Sequence, residues 1–222
     1  MTMRIQPSIL SADFVNFESE FKTISAADGI HVDVMDGHFV PNLTFGLGMV
    51  KRMQEITSLP LDVHLMIDNP DQLAPLYAEA GVFSVTVHFE ALSNPIETAN
   101  SIKSTGARAG LSIKPNTQVA EIEDFIQHFD QILVMSVEPG FGGQAFMPAS
   151  LEKISSIRNL IDSKGLATWL QVDGGIDLVT IGQAASAGAD TFVAGSSVFG
   201  SSDRNDMIRQ LRASAEDAAR SL

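Results

Sequence analysis

A chain of 222 residues, 45% hydrophobic and with 17 glycines, has the material for one well-buried domain spanning 1–222. It contains no cysteine, which excludes disulfides, thiolate nucleophiles and sulfur-ligated metals, so any metal must rest on nitrogen and oxygen. The formal charge of −13 argues against nucleic acid and anionic membrane as partners, and an anionic small molecule would be drawn in by local donors rather than by the overall field.

The chain alternates short apolar runs with amphipathic segments from end to end. Arg4–Leu10 reads as a strand and Phe14–Ala26 as a helix. The pairs that follow are Ile30–Met35 with Gly46–Thr57, Leu61–Met66 with Pro70–Ala80, and Phe83–His88 with Pro95–Thr105. Then come Arg108–Ile113 with Val119–His128, and Gln131–Val137 with Ser150–Lys164. Thr168–Val172 with Leu178–Ala187, and Thr191–Ala194 with Arg204–Arg220, complete the series. Asn94 before Pro95 is a helix start signal, and Gly106, Gly165 and Gly188 are stop signals. Eight βα units of about 28 residues each leave room for a short strand, a three-turn helix and two loops. Eight parallel strands imply an α/β fold of the closed (β/α)8 barrel type. A doubly wound open sheet would need a glycine-rich turn after an early strand, and Ser8–Asp13 is not one. No apolar run reaches spanning length, and the N-terminus lacks a signal-peptide pattern, so a cytoplasmic location is expected.

In such a barrel the chemistry sits at the C-terminal ends of the strands. The second strand puts His31, Asp33 and Met35 on one face, with Ile30, Val32 and Val34 on the other. Two ionisable groups on an enclosed face are costly unless paired or bound to a cation. The third strand carries Asp62, His64 and Met66 in the same alternation. The fourth ends in His88 and Glu90, the fifth in Lys114, and the sixth in Met135. The seventh runs into Asp173. His31, Asp33, His64 and Asp173 can supply two nitrogens and two carboxylates, a set that suits zinc and also iron(II), cobalt or manganese. Asp62 is either an acceptor for an imidazole N–H behind that set or an internal structural carboxylate.

Glycines follow three adjacent strands: Gly140, Gly142 and Gly143, then Gly174 and Gly175, then Gly195 beside Ser196. Backbone N–H groups at such turns cradle a phosphate without lysine or arginine. Strands 2 and 7 bring Asp33 and Asp173 to the mouth from different sides. A flat enediolate held between them could lose a proton to one and regain one from the other on its opposite face. The proton lies α to a carbonyl, so a cation must act as Lewis acid on the developing oxyanion.

The motifs PSILSAD at Pro7–Asp13, HVDVMDGHFVPN at His31–Asn42, HLM at His64–Met66, VMSVEPGFGGQ at Val134–Gln144, VDGG at Val172–Gly175 and AGSS at Ala194–Ser197 run over essentially the whole chain. Their combination resembles the ribulose-phosphate 3-epimerase family. The resemblance implies interconversion of D-ribulose 5-phosphate and D-xylulose 5-phosphate in the pentose phosphate pathway. It implies one divalent metal per subunit, zinc first, on His31, Asp33, His64 and Asp173. It gives Asp33 as proton acceptor and Asp173 as proton donor in one direction. It also implies substrate contacts from Ser8, His64 and Asp173, and phosphate loops at Gly140, Phe141, Gly142 and Gly143, at Gly174 and Gly175, and at Gly195 and Ser196. Met35, Met66 and Met135 match pocket-lining methionines, whose alternative is core packing. Lys114 stands where many relatives carry asparagine and is not placed in the site. A homo-oligomer is expected, dimer or hexamer. An epimerase of a hexulose phosphate such as D-allulose 6-phosphate would use the same machinery with a wider mouth. A sugar-phosphate-binding barrel without turnover would have lost a ligand or a carboxylate.

Overall fold

Strand–helix alternation closes on itself in this chain. The computed structural model describes residues 2–220; Met1, Ser221 and Leu222, at the ends of the expected 1–222 domain, lie outside the described residues. Among the described residues eight strands form one parallel sheet: β1 (Arg4–Gln6), β2 (Ile30–Met35), β3 (Leu61–Met66), β4 (Ser84–His88), β5 (Arg108–Ile113), β6 (Gln131–Met135), β7 (Trp169–Asp173) and β8 (Thr191–Val193). Neighbours pair in the order β1-β8-β7-β6-β5-β4-β3-β2. The seam between β1 and β2 is joined by a parallel bridge, Ser8 to His31, with His31 N donating to Pro7 O at 3.0 Å. The expected (β/α)8 barrel is therefore the fold.

Helices α1 (Phe17–Lys22), α2 (Leu47–Ile56), α3 (Pro70–Ala78), α4 (Pro95–Ser104), α5 (Val119–Ile122), α6 (Ser150–Ser163) and α7 (Thr180–Ser186) connect the strands, and α8 (Ser196–Phe199) and α9 (Arg204–Arg220) follow the last one. The longer ones bury an apolar stripe. In α6 that stripe is Ile154, Ile157 and Ile161, and in α9 it is Ile208, Leu211 and Ala215. Among the described residues no helix is long and apolar enough to cross a membrane.

Several expected boundaries shift, some of them for clear local reasons. β1 stops at Gln6, because Pro7 has no N–H to donate and Ser8 Oγ accepts from Leu10 N at 3.2 Å to start a single 3-10 turn over Ile9–Ser11. The first helix shortens to Phe17–Lys22, since Asp13 accepts from Val15 N at 3.1 Å and Asn16 Nδ2 at 2.7 Å and ties residues 13–16 into a turn. The expected helix over 119–128 divides into α5 and a 3-10 turn at Ile126–His128. A helical turn not anticipated from sequence, α8, follows Gly195.

The barrel interior is polar. Gln6, His31, Asp62, Ser84, Thr86, Gln131 and Gln171 are all buried inside it. At the N-terminal end of β7, Trp169 is clasped by the guanidinium of Arg4, 3.6 Å from its ring centroid, and that of Arg108, 3.9 Å away. Close approach of β4 and β5 depends on Gly110, where a Cβ would lie 2.2 Å from Thr86 Oγ1 and 2.9 Å from Thr86 Cβ. Gly110→Ala is therefore expected to destabilise the protein by about 1–3 kcal/mol through overpacking, read as a lowered denaturation midpoint; an unchanged midpoint would show that β4 and β5 can part without cost.

Candidate active site

The alternation of β2 turns His31, Asp33 and Met35 inward, and register does the rest. β2 and β3 pair Asp33 with His64, His31 with Asp62 and Met35 with Met66, while β6 and β7 pair Met135 with Asp173. The four residues singled out as ligands converge: one donor atom from each of His31, Asp33, His64 and Asp173 lies within 4.8 Å of the others. His31 Nε2 is 3.3 Å from Asp33 Oδ1 and 3.9 Å from Asp173 Oδ2. His64 Nδ1 is 3.4 Å from Asp33 Oδ1 and 4.0 Å from Asp173 Oδ2. Two imidazole nitrogens and two carboxylate oxygens at this spacing form a cluster able to hold a metal ion.

Behind the cluster each imidazole is anchored. His31 Nδ1 donates to Asp62 Oδ2 at 2.8 Å, so Asp62 is the acceptor behind a ligand position. Asp62 is itself saturated by Ser84 Oγ at 2.5 Å, Gln171 Nε2 at 2.7 Å and Gln131 Nε2 at 3.4 Å. His64 Nε2 lies 2.9 Å from His88 Nε2, and His88 Nδ1 lies 3.1 Å from Glu90 Oε2. Sequence reasoning placed His88 and Glu90 at a strand end and gave them no role. Their spacing repeats the His-x-Asp alternation of β2, and that was the available signal.

The electrostatics separate the two aspartates. Burial raises the Asp173 carboxyl, the Asp33 charge raises it further, and together they push it up to about 7. Burial works against Asp33 too, but the charge and hydrogen bond of His31 act against it and help hold the carboxyl far below the usual range. Ser8 Oγ adds a hydrogen bond to Asp33 Oδ2 at 2.6 Å. Burial would lower the His31 imidazole, yet Asp33 and Asp62 raise it well above its ordinary value. Burial lowers His64, and it brings His88 down to about 4. Glu90 would rise on burial, but hydrogen bonds from His88, Thr117 Oγ1 and Lys114 N bring it down to about 2.

Above the cluster opens a cleft with about 550 Å³ of empty space, mouth included. Its wall carries the expected Ser8, Asp33, Asp173 and the three methionines, Met35, Met66 and Met135. It also carries Gly140, Phe141, Gly142, Gly143, Gly174, Gly175, Gly195 and Ser196, so the three glycine loops meet at one end. His31 and His64 do not reach that wall; both are fully buried. The loops are built for glycine. At Gly175 φ is +60° and a Cβ would lie 2.3 Å from Phe146 N; at Gly174 φ is +122° and a Cβ would lie 2.6 Å from Val137 Cγ2. Asn42 Nδ2 donates to Gly140 O at 2.9 Å and ties the loop after β2 to the loop after β6. Ser11 and Gln144 also line the cleft and were not anticipated. Lys114 stands outside it, with Nζ 3.8 Å from the Phe39 ring centroid.

Comparison with known proteins agrees with this arrangement. Residues 4–199 match the model of the ribulose-phosphate 3 epimerase family. The ribulose-phosphate 3-epimerase of Mycobacterium tuberculosis is 51% identical over 215 residues, 97% of this chain and 94% of its own length. That of Bacillus subtilis is 45% identical over 215 residues, 96% of this chain and 99% of its own. The crystal structure of KGPDC from Streptococcus mutans shares the fold with a TM-score of 0.73 at 11% identity, covering 98% of this chain and 99% of that one. With a barrel whose mouth holds buried histidines and aspartates beneath three glycine loops, and with relatives this similar along nearly their whole length, the chain belongs to the ribulose-phosphate 3-epimerase family of enzymes.

Proposed function

We propose that the chain interconverts D-ribulose 5-phosphate and D-xylulose 5-phosphate by inverting C3, with Asp33 and Asp173 exchanging the proton and a divalent cation held by His31, Asp33, His64 and Asp173. The observation that carries this is the convergence of the two carboxyls: Asp33 and Asp173 both line the cleft, and each brings a carboxylate oxygen within 4.8 Å of the other donor atoms of the His31, Asp33, His64 and Asp173 cluster. In one direction the Asp33 carboxylate takes the proton from C3. The C3–H electrons move into the C2–C3 bond and the carbonyl oxygen becomes the anion of a planar enediolate. Asp173 then returns a proton to C3 from the opposite face, the carbonyl re-forms, and no carbon–carbon bond breaks. The reverse reaction exchanges the two roles.

Ser8 Oγ, donating to Asp33 Oδ2 at 2.6 Å, keeps that carboxylate oriented and ionised. A cation on the four ligands supplies positive charge against the developing oxyanion. The nitrogen and oxygen donor set favours zinc, with iron(II), cobalt and manganese as the other metals it accommodates. Backbone amides of Gly142, Gly143, Gly174, Gly175, Gly195 and Ser196 take the phosphate, and Met35, Met66 and Met135 exclude water over the sugar.

Asp173→Asn is expected to keep the fold and lower kcat on the order of a hundred- to ten-thousand-fold; near-normal turnover in a steady-state assay would remove Asp173 from its role. Turnover in deuterium oxide is expected to place deuterium at C3, seen by mass spectrometry, and products free of deuterium would argue against proton exchange with these acids. The protonated Asp173 and the raised His31 must give up protons before they can ligate. Zinc affinity of the stripped protein is therefore expected to rise as pH increases through about 7, with about one or more protons released on binding. Calorimetry in buffers of different ionisation enthalpy reads this directly, and a pH-independent affinity would show that the four groups are not the ligands.

A further inference from the structure

His64 can face the cluster in two ways, and only one leaves Nδ1 with a free lone pair. The row of groups behind it decides which. Glu90 Oε1 accepts from Lys114 N at 2.7 Å and from Thr117 Oγ1, and these donors together with His88 bring the carboxyl down to about 2, so Oε2 is an acceptor as well. The loop carrying those donors is pinned by Lys153 Nζ, which donates to Lys114 O at 2.9 Å, Pro115 O at 2.8 Å and Thr117 O at 2.7 Å. Glu90 Oε2 sits 3.1 Å from His88 Nδ1, so that nitrogen must carry the proton. A neutral imidazole has only one N–H, so His88 Nε2 is an acceptor. It lies 2.9 Å from His64 Nε2, which must then be the donor. His64 Nδ1 is left with its lone pair, which accepts from His31 Nε2 at 3.4 Å and lies beside Asp33 and Asp173. The opposite polarity would set the His88 Nδ1 lone pair against the carboxylate. Both imidazoles are fully buried, so no water corrects such a mismatch. The Phe39 ring packs on His88 at 4.7 Å between centroids and holds its plane.

We propose that Glu90 and His88 are positioning residues that lock His64 in its Nε2–H tautomer, presenting Nδ1 as a metal-ready lone pair before any cation arrives. This rests on the cation reading given above and extends it to two side chains that touch neither substrate nor metal position. The polarity starts at the edge of the barrel, in a loop fastened by Lys153, and reaches the cluster through two imidazoles.

The test is made on the full-length, metal-stripped protein with zinc as probe. Nitrogen-15 NMR of the wild-type histidines is expected to show His64 protonated on Nε2 and bare on Nδ1. Glu90→Gln lets an amide N–H face His88 Nδ1 and reverse the row, and His88→Phe keeps the ring packing but removes the acceptor. In both, the His64 tautomer is expected to become mixed and zinc affinity, measured by competition with a chromogenic chelator, to fall on the order of 10- to 100-fold. His88→Gln, whose carbonyl oxygen reaches the place of Nε2, is expected to restore most of that loss. A wild-type His64 protonated on Nδ1, or unchanged tautomer and affinity in both disabling variants, would overturn the proposal. A wild-type chain that binds no zinc at all would instead remove the cation reading, while the tautomer of the stripped protein would still decide the role of Glu90 and His88.

Discussion

A carboxylate sealed under the barrel floor sets the frame for the site. Asp62 is fully buried, and an isolated charge there would be prohibitively expensive. It is tolerated because donors arrive from three other strands and from the neighbouring His31: Ser84 on β4, Gln131 on β6, Gln171 on β7. That saturation fixes the His31 ring in direction, and with it one corner of the cluster. The barrel interior, which in other barrels is filled by branched aliphatic side chains, here carries a hydrogen-bonded network centred on Asp62. Such a network loses more than one contact when a member is removed, because every remaining partner is left facing low dielectric.

The two faces of each strand do separate work. On β2, Ile30, Val32 and Val34 join the large apolar core between sheet and helices, while His31, Asp33 and Met35 point the other way. Packing energy is gathered on the outside and chemistry is held on the inside. Parallel register then turns sequence neighbours on different strands into spatial neighbours, as with Asp33 opposite His64. The two aspartates differ in ionisation because their surroundings differ. Asp33 has Ser8 and His31 against it, whereas Asp173 has burial and the Asp33 charge.

Much of this was legible in the chain before folding. Period-two alternation marks the strands, and His31, Asp33, His64 and Asp173 stand out because ionisable groups on an otherwise apolar strand face demand a partner. The glycine loops are legible as well, since three of them follow consecutive strands. What could not be read were contacts set by side-chain reach across the barrel. Gln171 and Gln131 look like ordinary strand polar residues until the barrel closes and aims them at Asp62. His88 and Glu90 carry the same alternation as His31 and Asp33, but nothing local says that His88 will meet a second imidazole. The shortened β1 and the 3-10 turn after it depend on whether Ser8 caps its own turn, a choice settled by the bridge to His31 and the bond to Asp33.

The lone tryptophan occupies the pole of the molecule opposite the mouth. Trp169 opens the five-residue strand that Asp173 closes, which puts the two roughly 13 Å apart along the backbone. Two guanidinium planes cover its faces. Its emission is thus a private optical reporter on whether the base of the barrel is assembled, with little sensitivity to what occupies the cleft. Intrinsic fluorescence in this chain speaks of folding, and ligand occupancy has to be followed by another signal.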